Sequence, residues 1–294
     1  MSTRGIGEIT VTRIEEMLRP GMEPAAMFPA WRPEMLEDNR HWMVPNCYDE
    51  SLGRFISSLH SWVVRTRHHT IVVDTCAGNH KPRPAFERFH MLNTPWLDRL
   101  AAAGVAPEQV DFVMCTHLHI DHVGWNTRLV DGRWVPTFPN AKYVFSRIDR
   151  DYWDPAKGDA AKQPVNAGVF EDSVAPILEA GLDMIVDGAG QIGDGLLIEP
   201  TPGHTPGHVV LKVQSGNEEG VFTGDLMHHP IQVFHPRMSS IFCEDPVQSA
   251  DSRERVLQYC ADRNCRIFPA HFGAPHAGRV LRRGAGLAFE FDTP

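Results

Sequence analysis

This sequence predicts an α/β protein in which sheets and helices form layers, and three observations carry that expectation. Strand-like apolar runs alternate with helix-patterned segments along the whole chain. Glycine-containing turns separate these elements, and no sharp internal linker or convincing repeat interrupts them. The 294 residues, 42% hydrophobic and 22% charged, can bury a sizeable core without staples.

In chain order, "EITVTRI" (8–14) reads as a strand. Next comes "RPGMEPAAMFPAWRPEML" (19–36), in which four prolines preclude a continuous helix or strand. Met22, Met27, Phe28 and Trp31 are too apolar for a solvated linker. Residues 1–45 are therefore expected to form an arm packed on the domain, on a partner subunit or over a pocket mouth. A homodimer is the companion expectation, because such an arm is costly to leave in water. Residues 46–294 then make up the main domain. Its first strands are expected over 62–66 and 70–74, joined by a short polar turn. Thr94 as N-cap, Pro95 at the first helical position and Gly104 past the end delimit a helix. The strand "VDFVMCT" (110–116), a hairpin through Asp131-Gly132, the strand "AKYVFS" (141–146) and a short helix within 171–181 follow. Strands over 195–201, 208–215 and 220–225 lead to a helix from about Ser249 to Arg263 and the strand "CRIFPAH" (265–271). "RVLRRG" (279–284) reads as a solvated helix face or loop.

Twenty-eight basic against thirty-seven acidic residues give a formal charge of -9 with no concentrated basic patch, which argues against a nucleic-acid partner. No apolar run reaches signal-peptide or membrane-spanning length, so no membrane partner is expected and a cytoplasmic location is the default. The six cysteines form no CxxC pair and read as free thiols in a reducing compartment.

The densest chemistry lies in "FVMCTHLHIDHVGW" (112–125), where an apolar strand gives way to His117, His119, Asp121 and His122. Imidazole nitrogens and a carboxylate at this spacing can converge on metal ions, and a histidine-rich polar turn is the bland reading of the same letters. Four ligands are too few for two ions, so a two-metal site needs residues from elsewhere. His204 in "TPGHTPGH", Asp225 in "FTGD" and His271 in "FPAHFG" each follow an apolar strand beside a glycine-containing turn. Isolated histidines such as His60, His90 and His276 read as surface or satisfied residues, and His208 as one that fixes a turn or supports a ligand.

In order and approximate spacing, HxHxDH followed by Gly-His, Gly-Asp and a late histidine resembles the metallo-β-lactamase superfamily over residues 70–271. The resemblance implies an αββα sandwich with two divalent metal ions at the edge between the sheets. By position, His117, His119 and His204 would hold one ion, Asp121, His122 and His271 the other, and Asp225 would bridge them. Zinc is the expected metal, with manganese, cobalt or iron as alternatives. Residues 46–294 become the catalytic domain. Two such ions can bind one water between them and lower its pKa far below that of bulk water, to about 7, which implies hydrolysis by a bridging hydroxide. Flavodiiron relatives carry glutamate at the second motif position, and His119 stands there in this chain.

Within the superfamily the sequence is similar in character to the N-acyl-homoserine lactonase and methyl-parathion-hydrolase-like branch. The expected substrate is a small-molecule lactone or carboxylic ester, with organophosphate triesters as the alternative within hydrolases. A non-catalytic metal-binding or nucleic-acid-processing module is the alternative of another class. No clear basic cluster of the kind a glutathione thiolester hydrolase would use stands near the motif. Asp121 and His228 are the residues assigned to catalysis. The lactonases place a tyrosine shortly after the bridging aspartate; here Asp225-Leu226-Met227-His228 puts a histidine there, able to assist the carbonyl or protonate the leaving alkoxide. Trp125, Ile231, Phe234 and Phe272 are candidates to line an apolar pocket, with core packing the plainer role for each.

Overall fold

The computed structural model describes residues 3–284 and 286–293, which fold into two packed sheets with helices on both outer faces. Among these residues the first sheet has eight strands. Its order is Thr3–Ile6, Ile9–Pro20, Arg54–Arg65, Thr70–Val73, Phe112–Met114, Lys142–Ser146, Asp183–Val186, with Tyr48–Asp49 paired to Arg54–Arg65. The second runs Gly190–Ile192, Leu196–Pro200, Val209–Ser215, Glu218–Gly224, Arg266–Pro269, Gly278–Arg283, Gly286–Phe291.

Two-residue periodicity explains the layering, because successive side chains on a strand face opposite ways. Ile71, Val73, Met114 and Val144 meet Leu211, Phe222 and Phe268 between the sheets. Their neighbours Val72, Val113, Tyr143 and Phe145 face outward onto helices that carry Trp96, Leu100, Trp153 and Ile177. On the far side, Val210, Val221 and Ile267 pack on Val256, Leu257 and Cys260 of the helix Pro246–Arg263. The αββα sandwich is thus the alternation of these apolar residues written in three dimensions.

Several expected elements take a different form. The strand expected over 8–14 continues to Pro20 and pairs along Arg54–Arg65, with a bulge between Glu15 and Met17. The first twenty residues, as far as they are described, therefore belong to the sandwich. The remainder of the expected arm packs on its own chain: Met27, Phe28, Met35 and Met43 are buried with Phe55, Ile231 and Met238, and Met22 and Trp31 lie against them half-buried.

Thr94 does not cap the following helix, which runs Trp96–Ala102; its hydroxyl instead donates to the buried Glu16 carboxylate, 3.2 Å away. In place of one short helix within 171–181 there are two, Val169–Ser173 and Ala175–Glu179, with Pro176 tolerated in the first turn of the second. The last long helix begins at Pro246 because Asp245 caps it, accepting from the N–H groups of Val247 and Gln248. "RVLRRG" is largely strand, since Gly278–Arg283 pairs with Gly286–Phe291.

Candidate metal centre

Parallel strands bring the polar residues to one edge. Thr70–Val73, Phe112–Met114 and Lys142–Ser146 run parallel, so Asp74, the histidine cluster and Asp149 leave the first sheet at the same end. Glu218–Gly224 and Arg266–Pro269 are likewise parallel and deliver Asp225 and His271 from the second sheet. The crowding demands glycine at one point: Gly224 has φ +47°, and a β-carbon there would lie 2.5 Å from Thr116 Oγ1.

All seven residues singled out as ligands converge. His117 Nε2, His119 Nδ1 and His204 Nε2 form a triangle with edges of 3.1, 2.9 and 3.1 Å. Three nitrogens each about 2.0–2.1 Å from a tetrahedral zinc would stand about 3.3 Å apart, so the triangle fits one cation. Nearby, His271 Nε2 lies 3.6 Å from Asp121 Oδ2, and His122 Nε2 lies 3.8 Å from Asp121 Oδ1. Asp225 sits between the two groups. Its Oδ1 is 2.9 Å from His271 Nε2 and 3.2 Å from His122 Nε2, while its Oδ2 is 3.4 Å from His204 Nε2 and 3.9 Å from His117 Nε2.

Hydrogen bonds set the ring orientations. Asp74 accepts from the Thr116 N–H and hydroxyl (2.8 and 2.9 Å) and from His122 Nδ1–H (2.9 Å). With its proton given to Asp74, the Thr116 hydroxyl can accept from His117 Nδ1–H at 3.0 Å. His271 Nδ1–H donates to the Ser58 carbonyl at 3.0 Å. In its neutral form each of these three imidazoles has its Nε2 lone pair aimed at the cluster. His208 does what the sequence assigned it. Burial pushes its pKa down to about 3, so it is neutral; Nδ1–H donates to Thr201 Oγ1, and Nε2 accepts the Asp225 N–H.

The donor set calls for positive charge. His119 Nε2 and His228 Nδ1 are buried with no hydrogen-bond partner among the described residues, while Asp225 Oδ1, His122 Nε2 and His228 Nε2 face only other atoms of the cluster, without a well-aligned hydrogen bond. Burial works against a charged His122, yet Asp225, Asp74 and Asp121 together hold its pKa well above the usual value. Burial likewise opposes ionisation of Asp225, but the surrounding His122, His271 and His228 hold it well below the usual carboxylate range. Nitrogen and carboxylate donors in this arrangement fit a pair of divalent ions.

His228 is at the cluster rather than beside it. Its Nε2 lies 3.2 Å from Asp225 Oδ2, its ring is 5.0 Å from that of His204, and His204, Asp225 and His228 form a further group able to hold a cation. Its backbone N–H donates to Gln232 Oε1 at 2.7 Å, which anchors the turn. Both His228 and Asp121 face a cavity of about 880 Å³ that opens in front of the cluster.

The apolar wall is made by residues other than those expected. Trp125 is core, stacked on Trp96 with its indole N–H donating to Glu16; Ile231 and Phe272 are buried, and Phe234 stacks on Trp42. Met22, Met27, Phe86, Phe89 and Phe242 line the cavity instead. Three supporting carboxylates escaped notice in the sequence: Asp74, Glu16 and Asp149, the last accepting from the N–H groups of Leu118 and Gly207 with its pKa pushed up by burial to about 6. Asp74 alone had a visible signal, as the acid ending the strand "TIVVD".

Asp74→Asn should weaken metal binding about ten- to a hundredfold, as loss of a carboxylate behind a ligating imidazole does. Asparagine tolerates the left-handed backbone at this position (φ 52°), so the fold should persist. Competition with a chromogenic chelator measures the change, and unaltered affinity would show that Asp74 does not support the ligands.

A profile described as the metallo-beta-lactamase superfamily matches residues 58–271. The chain is 33% identical over 197 residues to metallo-beta-lactamase domain-containing protein 1 of Xenopus laevis, covering 65% of this chain and 66% of that protein. It is 24% identical over 181 residues to the N-acyl homoserine lactonase AttM of Rhizobium radiobacter, covering 60% and 63%. The matched region thus spans just under two thirds of these relatives. Among solved structures, hydrolase AbOPH superposes with a TM-score of 0.81 at 23% identity, over 99% of this chain and 97% of that one. AidC, a dizinc quorum-quenching lactonase in complex with its product, superposes with a TM-score of 0.78 at 21% identity, over 99% and 97%. At these identities the two structures establish the fold.

Proposed function

Since the chain belongs to the metallo-beta-lactamase superfamily, we propose that it is a dinuclear-metal hydrolase that opens lactones or cleaves other carboxylic esters. One observation carries the reading: the two oxygens of Asp225 face two separate sets of histidines across a cavity floor. His117, His119 and His204 would hold one ion and Asp121, His122 and His271 the other, with zinc the proposed metal. When bound, such a pair activates water at neutral pH and polarises the substrate carbonyl.

The chain's own residues do the rest. Asp74, Thr116 and the Ser58 carbonyl keep three imidazoles in the tautomer that presents Nε2. Apolar side chains around the cavity hold the acyl portion and exclude water. His228 donates a proton to the leaving alkoxide or a hydrogen bond to the carbonyl oxygen; its unpartnered Nδ1 and its place on the cavity wall support that role. The kinship with N-acyl homoserine lactonases supports the choice of substrate class.

A panel of lactones, aryl esters and phosphotriesters, assayed with and without chelator, tests the proposal. Chelator-sensitive turnover of lactones or carboxylic esters is expected. Turnover of phosphotriesters alone would move the assignment to that chemistry, and activity indifferent to chelator would end it.

A further inference from the structure

The cavity has a second chemistry, which the metal cluster does not use. Arg19, Arg54 and Arg88 all line it, although the chain as a whole carries nine more acidic than basic residues (37 against 28). They come from three segments far apart in sequence: the end of the strand Ile9–Pro20, the first residue of Arg54–Arg65, and the short turn Glu87–Phe89. The fold gathers them at one opening.

Their partners leave charge to spare. Arg88 donates from Nη1 to the Pro20 carbonyl at 2.9 Å and from Nη2 to the Ser57 carbonyl at 3.4 Å, while Arg19 Nη2 donates to the Arg88 carbonyl at 2.9 Å. Uncharged carbonyls fix these two side chains without neutralising them. None of the three arginines forms an ion pair among the described residues, in contrast to Arg83, which clasps Asp172. Arg88 is half-buried; burial first and Arg19 second lower its pKa to about 10, so it remains charged at neutral pH. The charge of Asp121 acts in the opposite direction on Arg88, which puts this guanidinium within electrostatic reach of the cluster. Glu87 is the acidic residue on the same wall outside the cluster, one carboxylate against three guanidinium groups.

An apolar chamber with a cationic rim matches a molecule with an apolar body and an anionic end. We propose that the Arg19, Arg54 and Arg88 rim selects lactones or esters that carry a carboxylate or similar anion away from the scissile bond. This deepens the hydrolase reading above and rests on it. Guanidinium offers planar, paired N–H donors to a carboxylate, and the field of three such groups also raises the encounter rate of anions. Because the rim is partly open to water, each arginine should contribute about twofold and the set about tenfold.

Two 4-nitrophenyl esters of equal chain length test the inference on the metal-loaded protein: the monoester of adipic acid, and the same compound capped as its methyl ester. The native protein should show kcat/KM about tenfold higher for the anion, and the ratio should shrink as salt is raised. Arg54→Met should lower that ratio about twofold and Arg54→Glu about fourfold. Arg54 is exposed and makes no side-chain hydrogen bond among the described residues, so these variants leave the fold in place. Arg88→Met probes the inner guanidinium; if loss of its carbonyl contacts prevents folding, the Arg54 pair still decides. A native ratio at or below one, or a ratio indifferent to Arg54→Glu, overturns the inference while leaving the hydrolase reading intact. If neither ester turns over, the hydrolase reading fails instead. Calorimetric binding of adipate against hexanoate then decides the anion preference separately: tighter binding of adipate supports the rim, and equal binding overturns it.

Discussion

Asp225→Ala is expected to release both metal ions and to lower lactone or ester turnover by on the order of a thousandfold or more, because the activated water is lost with them. The carboxylate stands between two histidine groups, with one oxygen within 3.2 Å of His122 and His271 Nε2 and the other within 3.9 Å of His117 and His204 Nε2. Removing it would leave six nitrogen and oxygen donors in two groups with no shared carboxylate, and no negative charge between the two cations they would hold. Elemental analysis and kcat on the same preparation read the outcome, with circular dichroism to confirm the fold. Asp225→Asn keeps the shape and removes the charge, so it separates packing from electrostatics. Loss of a single ion from Asp225→Ala would show that the carboxylate serves one centre only.

His228→Ala should lower kcat by about ten- to a thousandfold, the range for a single proton donor or oxyanion donor. The loss should be greatest for an aliphatic lactone, whose alkoxide leaves poorly, and least for a nitrophenyl ester, which needs little protonation. Equal losses on both would assign His228 to the carbonyl oxygen. Metal content discriminates a third role, since His228 Nε2 lies 3.2 Å from Asp225 and forms a candidate cation group with His204. Two ions retained keeps His228 as a donor to substrate. Loss of one ion makes it a ligand, and full activity in the variant makes it a bystander.

Residues that follow their strands directly were legible before the fold was known. His117 to His122, His204, Asp225 and His271 each sit just past an apolar run; parallel pairing brings together the run ends within each sheet, and two antiparallel pairings return the strand before His204 to the same edge. The alternation of Ile71, Val72 and Val73, or of Val210 and Leu211, likewise contained the layering. Other features depend on contacts that no local pattern records. The strand Ile9–Pro20 was read short because its bulge at Glu15 and Met17 breaks the alternation and proline-rich sequence follows. Glu16 is an isolated acid whose role exists only once Ala77, Gly78, Thr94 and Trp125 turn their donors toward it. Trp125 was assigned to the pocket by adjacency to the histidines, but its indole turns away toward Glu16 and Trp96. The arginine rim was invisible because residues 19, 54 and 88 are dispersed in an acidic chain and become one patch only on folding.

Metal stoichiometry against activity is the most direct measurement. The protein should be stripped of metal with chelator, freed of the chelator and titrated back with metal while kcat and bound ions per chain are followed together. Two ions per chain at full activity, with activity rising as the second is filled, is the expected result. Full activity at one ion per chain, or in the metal-free protein, would contradict a dinuclear centre built on Asp225.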